Sequence, residues 1–255
     1  MKIYGIDPAP SKRSTVFNGR RFFSCSPKRL KKFVRASRKP TFIGWDAPLG
    51  ASLDEKYFDL YSRVIERFFN NQRKDLKIPK GISTLGYAGC PHWTITQYVF
   101  SLPILDPSHQ KSSCFYHLQR KEELGRHRFI VAETHPALSI WLFLKKYLSH
   151  DPLFSDSWQY KGNISKELKQ ARISKIVETF FEKKIPQQAG IEVNVKEEVK
   201  KSDDRLDAFV CYMVSALFVE GSNLVAIYGD EKRGSFLLPY DPTIYKQFEN
   251  FVFHK

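Results

Sequence analysis

The chain has 255 residues, 42% of them hydrophobic, which is enough for one folded domain with a sizeable core. Its 41 lysine and arginine residues against 27 aspartate and glutamate residues give a net charge of +14, which favours nucleic acid over an anionic membrane surface as partner. No run of about 18 apolar residues occurs, so we expect no membrane-spanning helix. Because the four cysteines are widely spaced and no secretion signal is evident, we expect a reduced protein in the cytoplasm.

Local turn and cap signals divide the first 46 residues into short elements. Asn18-Gly19 is the dipeptide of a two-residue hairpin turn. Ser26-Pro27 offers a helix cap followed by a proline at the first helical position. The predicted elements are strands at 2–9, 13–17, 21–25 and 41–46 and a helix at 27–37.

The middle of the chain is less regular. Ser52-Leu53-Asp54-Glu55 fits a helix capping box, and apolar residues follow at helical spacing as far as Phe68, which predicts a helix. Residues 71–128 contain scattered glycines and prolines and two basic stretches. They are typical of a loop-rich insertion, with a short helix near 94–101.

Regular patterns resume after the insertion and continue almost to the end of the chain. The segment 203–219 is apolar nearly all round, so we expect a buried helix. The complete set of predicted elements here is a strand at 129–133, helices at 136–148, 165–184 and 203–219, a loop at 151–163, and a closing hairpin of 224–228 with 235–238.

Acidic residues stand at the ends of these apolar elements. Asp7, Asp46 and Glu133 each end an apolar strand, while Asp204 and Asp207 open the apolar helix and share one of its faces. Sites in α/β sheets form at the carboxyl ends of strands, so these side chains can converge. Converging carboxylates repel one another unless a cation neutralises them, which indicates a metal-dependent site.

These acidic residues belong to four short motifs. The motifs are Gly5-Ile6-Asp7-Pro8-Ala9, Trp45-Asp46-Ala47-Pro48-Leu49-Gly50, Glu133-Thr134-His135-Pro136-Ala137 and Asp204-Arg205-Leu206-Asp207-Ala208. In this order along the chain they resemble the DUF429 family, whose members are described as predicted nucleases with an RNase H-like fold. The Asp-x-x-Asp-Ala pattern on the late helix is also similar to that of the RuvC-type resolvases.

The resemblance implies an RNase H-like α/β fold. Its central sheet would be mixed and five-stranded, with the first three strands antiparallel and helices on both sides. The whole chain, 1–255, would be a single domain, and 71–128 would be an insertion between the fourth and fifth strands.

The resemblance also implies the roles of the acidic residues. Asp7 would bridge two divalent cations, Asp46 and Glu133 would bind them from neighbouring strand ends, and Asp207, with Asp204 nearby, would complete the site from the helix. Asp7, Asp46, Glu133 and Asp207 are therefore the expected catalytic residues. Two Mg²⁺ or Mn²⁺ ions, roughly 3.5–4 Å apart, would act on a phosphodiester bond of DNA or RNA.

Several alternatives remain open at this level. Cys90-x-His92 with Cys114-x-x-His117 would form a structural zinc site, although isolated thiols and imidazoles are expected more often. Basic residues such as Lys12, Arg13 and Arg205 would hold phosphates or simply be solvated. The protein would otherwise be a non-catalytic nucleic-acid-binding protein or, with less support, an ATP-dependent phosphotransferase of the actin-like fold.

Overall fold

The computed structural model describes residues 1–50, 52–54, 57–59, 63–82, 90–101, 114–230 and 234–253, with 52–54, 57–59, 90–91 and 252–253 described by their backbone alone. The strands are β1 (Lys2–Asp7), β2 (Ser14–Phe17), β3 (Phe22–Cys25), β4 (Thr41–Trp45), β5 (Ser52–Asp54), β6 (Tyr57–Asp59), β7 (Tyr116–His117), β8 (Phe129–Glu133), β9 (Val225–Asp230) and β10 (Gly234–Pro239). The helices are α1 (Pro27–Arg35), α2 (Val64–Asn71), α3 (Cys90–Phe100), α4 (Pro136–Leu148), α5 (Lys166–Glu182), α6 (Ile185–Gln188), α7 (Lys196–Val199), α8 (Asp203–Val219) and α9 (Pro242–Phe253).

Six strands form one mixed sheet in the order β3-β2-β1-β4-β8-β7. The first three strands of the chain pair antiparallel, and β1, β4, β8 and β7 pair parallel. The expected mixed, helix-flanked sheet is confirmed, with six strands where five were predicted. The additional strand, β7, comes from the predicted insertion 71–128 and is two residues long, too short for an alternating pattern to reveal it.

Helices cover both faces of this sheet. α1 packs on one face beside α3, and the buried residues there include Leu30, Val34 and Val99. α8 lies on the other face, where it contacts β1, β2 and β4, and α4 and α5 pack beyond it. No helix among the described residues is long and apolar enough to cross a lipid bilayer.

Most of the predicted helices are found within a few residues of their expected bounds, as is the closing hairpin of β9 and β10. The helix predicted from Ser52 is wrong, because that stretch forms the antiparallel strands β5 and β6 and the helix begins at Val64. Tyr57 and Phe58 are of residue types that are enriched in strands, and their pairing with β5 outweighs the local helix pattern. The final helix, α9, was not predicted.

Two glycines allow α8 to lie directly against the sheet. A Cβ atom at Gly5 would overlap the backbone of Ala208 and Tyr212, and one at Gly44 would overlap the carbonyl of Cys211. Because neither position carries a side chain, the helix backbone contacts the backbones of β1 and β4. This close approach brings the start of α8 to the carboxyl ends of those strands.

Candidate metal centre

Three of the predicted acidic residues meet at the carboxyl ends of β1 and β4. Side chains alternate between the faces of a strand, so Asp7 points to the same face as Gly5, and Asp46 to the same face as Gly44. That is the face covered by α8, whose first turns carry Asp207. Oxygen atoms of Asp7, Asp46 and Asp207 lie within 4.8 Å of one another.

Asp207 is buried, Asp7 and Asp46 are half-buried, and the three carboxyl groups repel one another. Burial, followed by the charges of Asp207 and Asp46, raises the pKa of Asp7 well above its usual value. Burial also raises the pKa of Asp46 to about 7 and that of Asp207 above its ordinary range. A bound cation would therefore reduce the electrostatic repulsion among these carboxylates in the folded protein.

Two residues from the segment between α4 and α5 complete the cluster. The Tyr160 hydroxyl donates a hydrogen bond of 2.5 Å to Asp207 Oδ1, and the Lys161 ammonium donates one of 2.7 Å to Asp207 Oδ2. Lys161 Nζ also lies 3.9 Å from Asp46 Oδ2. Tyr160 thus fixes the orientation of the Asp207 carboxylate, and Lys161 supplies one positive charge against three carboxyl groups.

In the metal-free protein we expect the free energy of unfolding to fall as the pH rises from about 4 to about 7. The fold keeps Asp46 protonated up to a pKa of about 7, whereas the ordinary value is 3.8, so the folded state binds more protons in this interval. One pKa unit corresponds to about 1.4 kcal/mol, so Asp46 accounts for at most about 4 kcal/mol. Asp46→Asn should flatten the dependence, measured by urea unfolding in EDTA; an unchanged slope would contradict the assignment.

Glu133 points away from this cluster because of its register in the sheet. It pairs with Trp45 across β4 and β8, so the two side chains face the same way. The Trp45 ring lies on the α3 face, where its Nε1 donates to Thr96 Oγ1 at 2.9 Å. The next residue, Thr134, faces α8 instead and donates to Cys211 Sγ at 3.0 Å.

A buried arginine binds Glu133 where it lies. Arg63 Nη1 donates to Glu133 Oε2 at 2.8 Å, its Nη2 binds the other carboxylate oxygen, and its Nε donates to Glu66 Oε1 at 2.9 Å. The Arg63 side chain has no exposed surface, and those of Glu66 and Glu133 are 5% and 2% exposed. Burial raises the pKa of Glu133 to about 7, and Arg63 opposes that rise. Glu133 therefore belongs to a buried ion network with Arg63 and Glu66.

The other predicted acidic ligand, Asp204, lies at the rim of the cluster. Its Oδ2 accepts a hydrogen bond of 2.8 Å from Lys12 Nζ, and both side chains are partly exposed. The charge of Asp204 still contributes to the raised pKa of Asp7. Of the basic residues expected to hold phosphates, Arg13 donates to the carbonyl of Ser24, and Arg205 forms an ion pair with Glu198.

The residues considered for zinc have other surroundings. His117 is buried, with Gln119 3.3 Å from its Nδ1 and Ser235 3.4 Å from its Nε2. Cys114 is exposed, and the side chain of Cys90 lies outside the described residues. The polar neighbours of His117 are thus Gln119 and Ser235. Its strand, β7, lies at the edge of the sheet beside β8.

Sequence reasoning missed Tyr160, Lys161 and Arg63. The first two belong to the stretch predicted as a loop at 151–163, and Arg63 precedes a helix whose start was misplaced. A signal was available for the loop, since Trp158 and Tyr160 are large aromatic residues in a polar segment, and both are buried. Aromatic residues in a loop indicate that it packs against the core.

One segment of the chain matches a protein-family model. Residues 115–233 match the model of a family described as "Protein of unknown function (DUF429)". The matched segment runs from β7 to β9 and contains Glu133, Lys161 and Asp207, while Asp7 and Asp46 precede it. Neither the curated proteins nor the solved structures give a significant match to the chain.

Proposed function

We propose that this DUF429-related protein is an RNase H-like nuclease that uses Mg²⁺ or Mn²⁺ to hydrolyse phosphodiester bonds of nucleic acid. The observation that supports it most is the convergence of Asp7, Asp46 and Asp207, from three separate elements, within 4.8 Å. Burying like charges together destabilises a fold, so such a cluster points to a cation as its functional partner. A cytoplasmic location is part of the proposal.

The donor set fits a hard divalent cation. Asp7, Asp46 and Asp207 offer carboxylate oxygens, which are the ligands that Mg²⁺ and Mn²⁺ prefer. When bound, such an ion activates a water molecule and neutralises charge on the phosphate. With Glu133 bound to Arg63, a second ion would use Asp204, whose charge also acts on Asp7.

The side chains around the cluster have supporting roles. Tyr160 holds Oδ1 of Asp207 and so fixes the orientation of the carboxylate, while Oδ2 is bonded to Lys161. Groups that orient a metal ligand in this way tune both its geometry and its affinity for the ion. Lys12, which is paired with Asp204 at the rim and is 63% exposed, would contact a phosphate beside the reacting one.

A basic segment next to the cluster supports nucleic acid as the partner. Residues 8–45 contain eleven lysine and arginine residues and no aspartate or glutamate, so this segment supplies 11 of the 14 net positive charges. It includes α1, whose outer surface exposes Lys28, Arg29, Lys32 and Arg35. A concentrated positive surface of this kind attracts a polyanion.

Strand pairing places the start of α1 at the same end of the sheet as the cluster. Asp7 pairs with Thr15, and Ser14, the next residue along β2, pairs with Cys25 at the end of β3. Since α1 begins at Pro27, its exposed basic residues extend from that edge along the back of the sheet. A bound strand would therefore follow α1 to reach the carboxylates.

Replacing Lys28 and Lys32 with glutamine should weaken binding of single-stranded nucleic acid and reduce its salt dependence. Each lost phosphate contact lowers the slope of log K against log salt by about 0.7, so the double variant should lose about 1.4. Lys146→Gln with Lys246→Gln, exposed lysines on α4 and α9, is the matched control. Fluorescence anisotropy of labelled nucleic acid, at salt concentrations from roughly 50 to 200 mM, would measure the affinity and its salt dependence. Equal slopes in the two double variants would contradict the proposed path.

Cleavage assays test the catalytic part of the proposal. Purified protein would be incubated with labelled single-stranded DNA, duplex DNA, RNA and a DNA–RNA hybrid, with Mg²⁺, Mn²⁺ or EDTA. We expect cleavage of at least one substrate with either ion and none in EDTA.

A second candidate is a non-catalytic nucleic-acid-binding protein. The observation that favours it is that Lys161 already pairs with Asp207 and lies near Asp46, so the cluster has a protein cation of its own. Binding of nucleic acid without cleavage of any substrate, in the presence of either ion, would establish this alternative.

A further inference from the structure

Lys161 lies where a positive ion would be expected. Its Nζ is 2.7 Å from Asp207 Oδ2 and 3.9 Å from Asp46 Oδ2. The lysine therefore acts as the counter-cation of the cluster when no metal is bound.

The lysine reaches this position from solvent. Its side chain is 44% exposed, whereas those of Asp207 and Asp46 are 3% and 19% exposed. It belongs to the segment between α4 and α5 that forms neither helix nor strand at this point, and Gly162 follows with φ +82°. Its neighbour Tyr160 is buried and bonded to Asp207, so the backbone is anchored while the lysine side chain is not enclosed.

We propose that Lys161 is a displaceable counter-cation, which occupies the cluster in the metal-free protein and swings into solvent when a divalent cation enters. This inference rests on the proposed function, because it takes the cluster to be the metal site. The lysine then has two effects. It stabilises the metal-free fold by neutralising part of the carboxylate charge, and it lowers the affinity for metal because the ion must compete with it.

Removal of the lysine charge tests this with a measurement that does not depend on cleavage. Lys161→Gln should bind Mn²⁺ at least about tenfold more tightly than the wild type, since the ion no longer has to displace a positive charge from the carboxylates. In EDTA the same variant should have a lower Tm, and Mn²⁺ should raise its Tm by more than that of the wild type. Isothermal titration calorimetry and thermal unfolding provide the two readouts.

Two further variants serve as controls. Lys175→Gln removes a lysine of matched exposure, 42%. Lys175 lies outside the cluster, and its Nζ is 3.0 Å from Asp151 Oδ2. This variant should bind Mn²⁺ as the wild type does. Lys161→Arg keeps the positive charge and should also stay close to wild-type affinity. A shift confined to Lys161→Gln therefore reports the loss of the competing charge.

The remaining outcomes would overturn the inference in distinguishable ways. Equal Mn²⁺ affinity in wild type and Lys161→Gln would show that Lys161 does not compete with the metal ion. The proposed function would not be affected by that result. Weaker binding by Lys161→Gln would mean that the lysine shapes the cluster rather than competes for it. If neither protein binds Mn²⁺, the metal site itself is wrong, and the proposed function fails together with this inference.

Discussion

Replacing Asp7 with asparagine is expected to abolish metal-dependent cleavage while leaving the fold intact. Asp7 lies at the end of the central strand β1, close to Asp46 and Asp207, and its loss removes one of the three proposed carboxylate ligands. A bound metal contributes several kcal/mol to stabilisation of the transition state, so we expect a fall of roughly 10³-fold or more in the rate. Gel assays with Mg²⁺ and Mn²⁺ would measure it.

The stability of the same variant should move in the opposite direction. Burial and the neighbouring carboxylates raise the pKa of Asp7, so its charged form destabilises the metal-free protein near neutral pH. Asp7→Asn should therefore be at least as stable as the wild type in urea with EDTA, and it should gain less from Mn²⁺. Asp151→Asn, which alters an acid paired with Lys175 outside the cluster, should leave cleavage unchanged. Full activity in Asp7→Asn would contradict the catalytic proposal.

Replacing Arg63 with methionine is expected to cause the largest loss of stability. Arg63 is completely buried and donates to Glu66, Glu133 and the carbonyl of Gly50. Its removal takes away the buried cation that Glu66 and Glu133 share, which typically costs about 3–5 kcal/mol. Folded domains have only about 5–15 kcal/mol in total, so this variant should be close to unfolding at room temperature.

A rescue experiment separates charge from packing. Adding Glu66→Gln and Glu133→Gln to Arg63→Met removes the buried charges, so the triple variant should recover part of the lost stability in urea unfolding. Lys201→Met, at a partly exposed ion pair with Glu198, should change nothing measurable. If the triple variant is no more stable than Arg63→Met, the loss arises from the packing of the arginine side chain and not from uncompensated charge.

Local signals in the sequence are sufficient for much of the fold. The turn at Asn18-Gly19 and the cap at Ser26-Pro27 act on their immediate neighbours, and the strands and the helix around them form as predicted. The stretch from Ser52 differs because strand pairing outweighs local helix preference there. Strand preference depends on the contacts that a strand makes, so a capping box and a helical spacing of apolar residues do not reveal this hairpin.

At the site, too, the sequence predicts the direction of some side chains and not of others. Asp7 and Asp46 follow glycines by two positions, so their common face could be read from the alternation of a strand. Glu133 looks equivalent in sequence, yet its pairing with Trp45 turns it to the opposite face and leaves Thr134 facing α8. A shift of one residue reverses the direction of a side chain, and register depends on contacts between strands.

The two glycines beneath α8 also have a bearing on which ion the cluster would hold. The carbonyl oxygen of Ala208 lies against Gly5, and Asp207 precedes Ala208, so the spacing of helix and sheet sets the distance between Asp207 and Asp7. Mg²⁺ takes oxygen ligands at about 2.0–2.1 Å, whereas Ca²⁺ takes them at about 2.3–2.6 Å. A side chain at Gly5 would push the helix outward and widen the cluster towards the larger ion. Selectivity for ion size would then depend on residues that touch no ion at all.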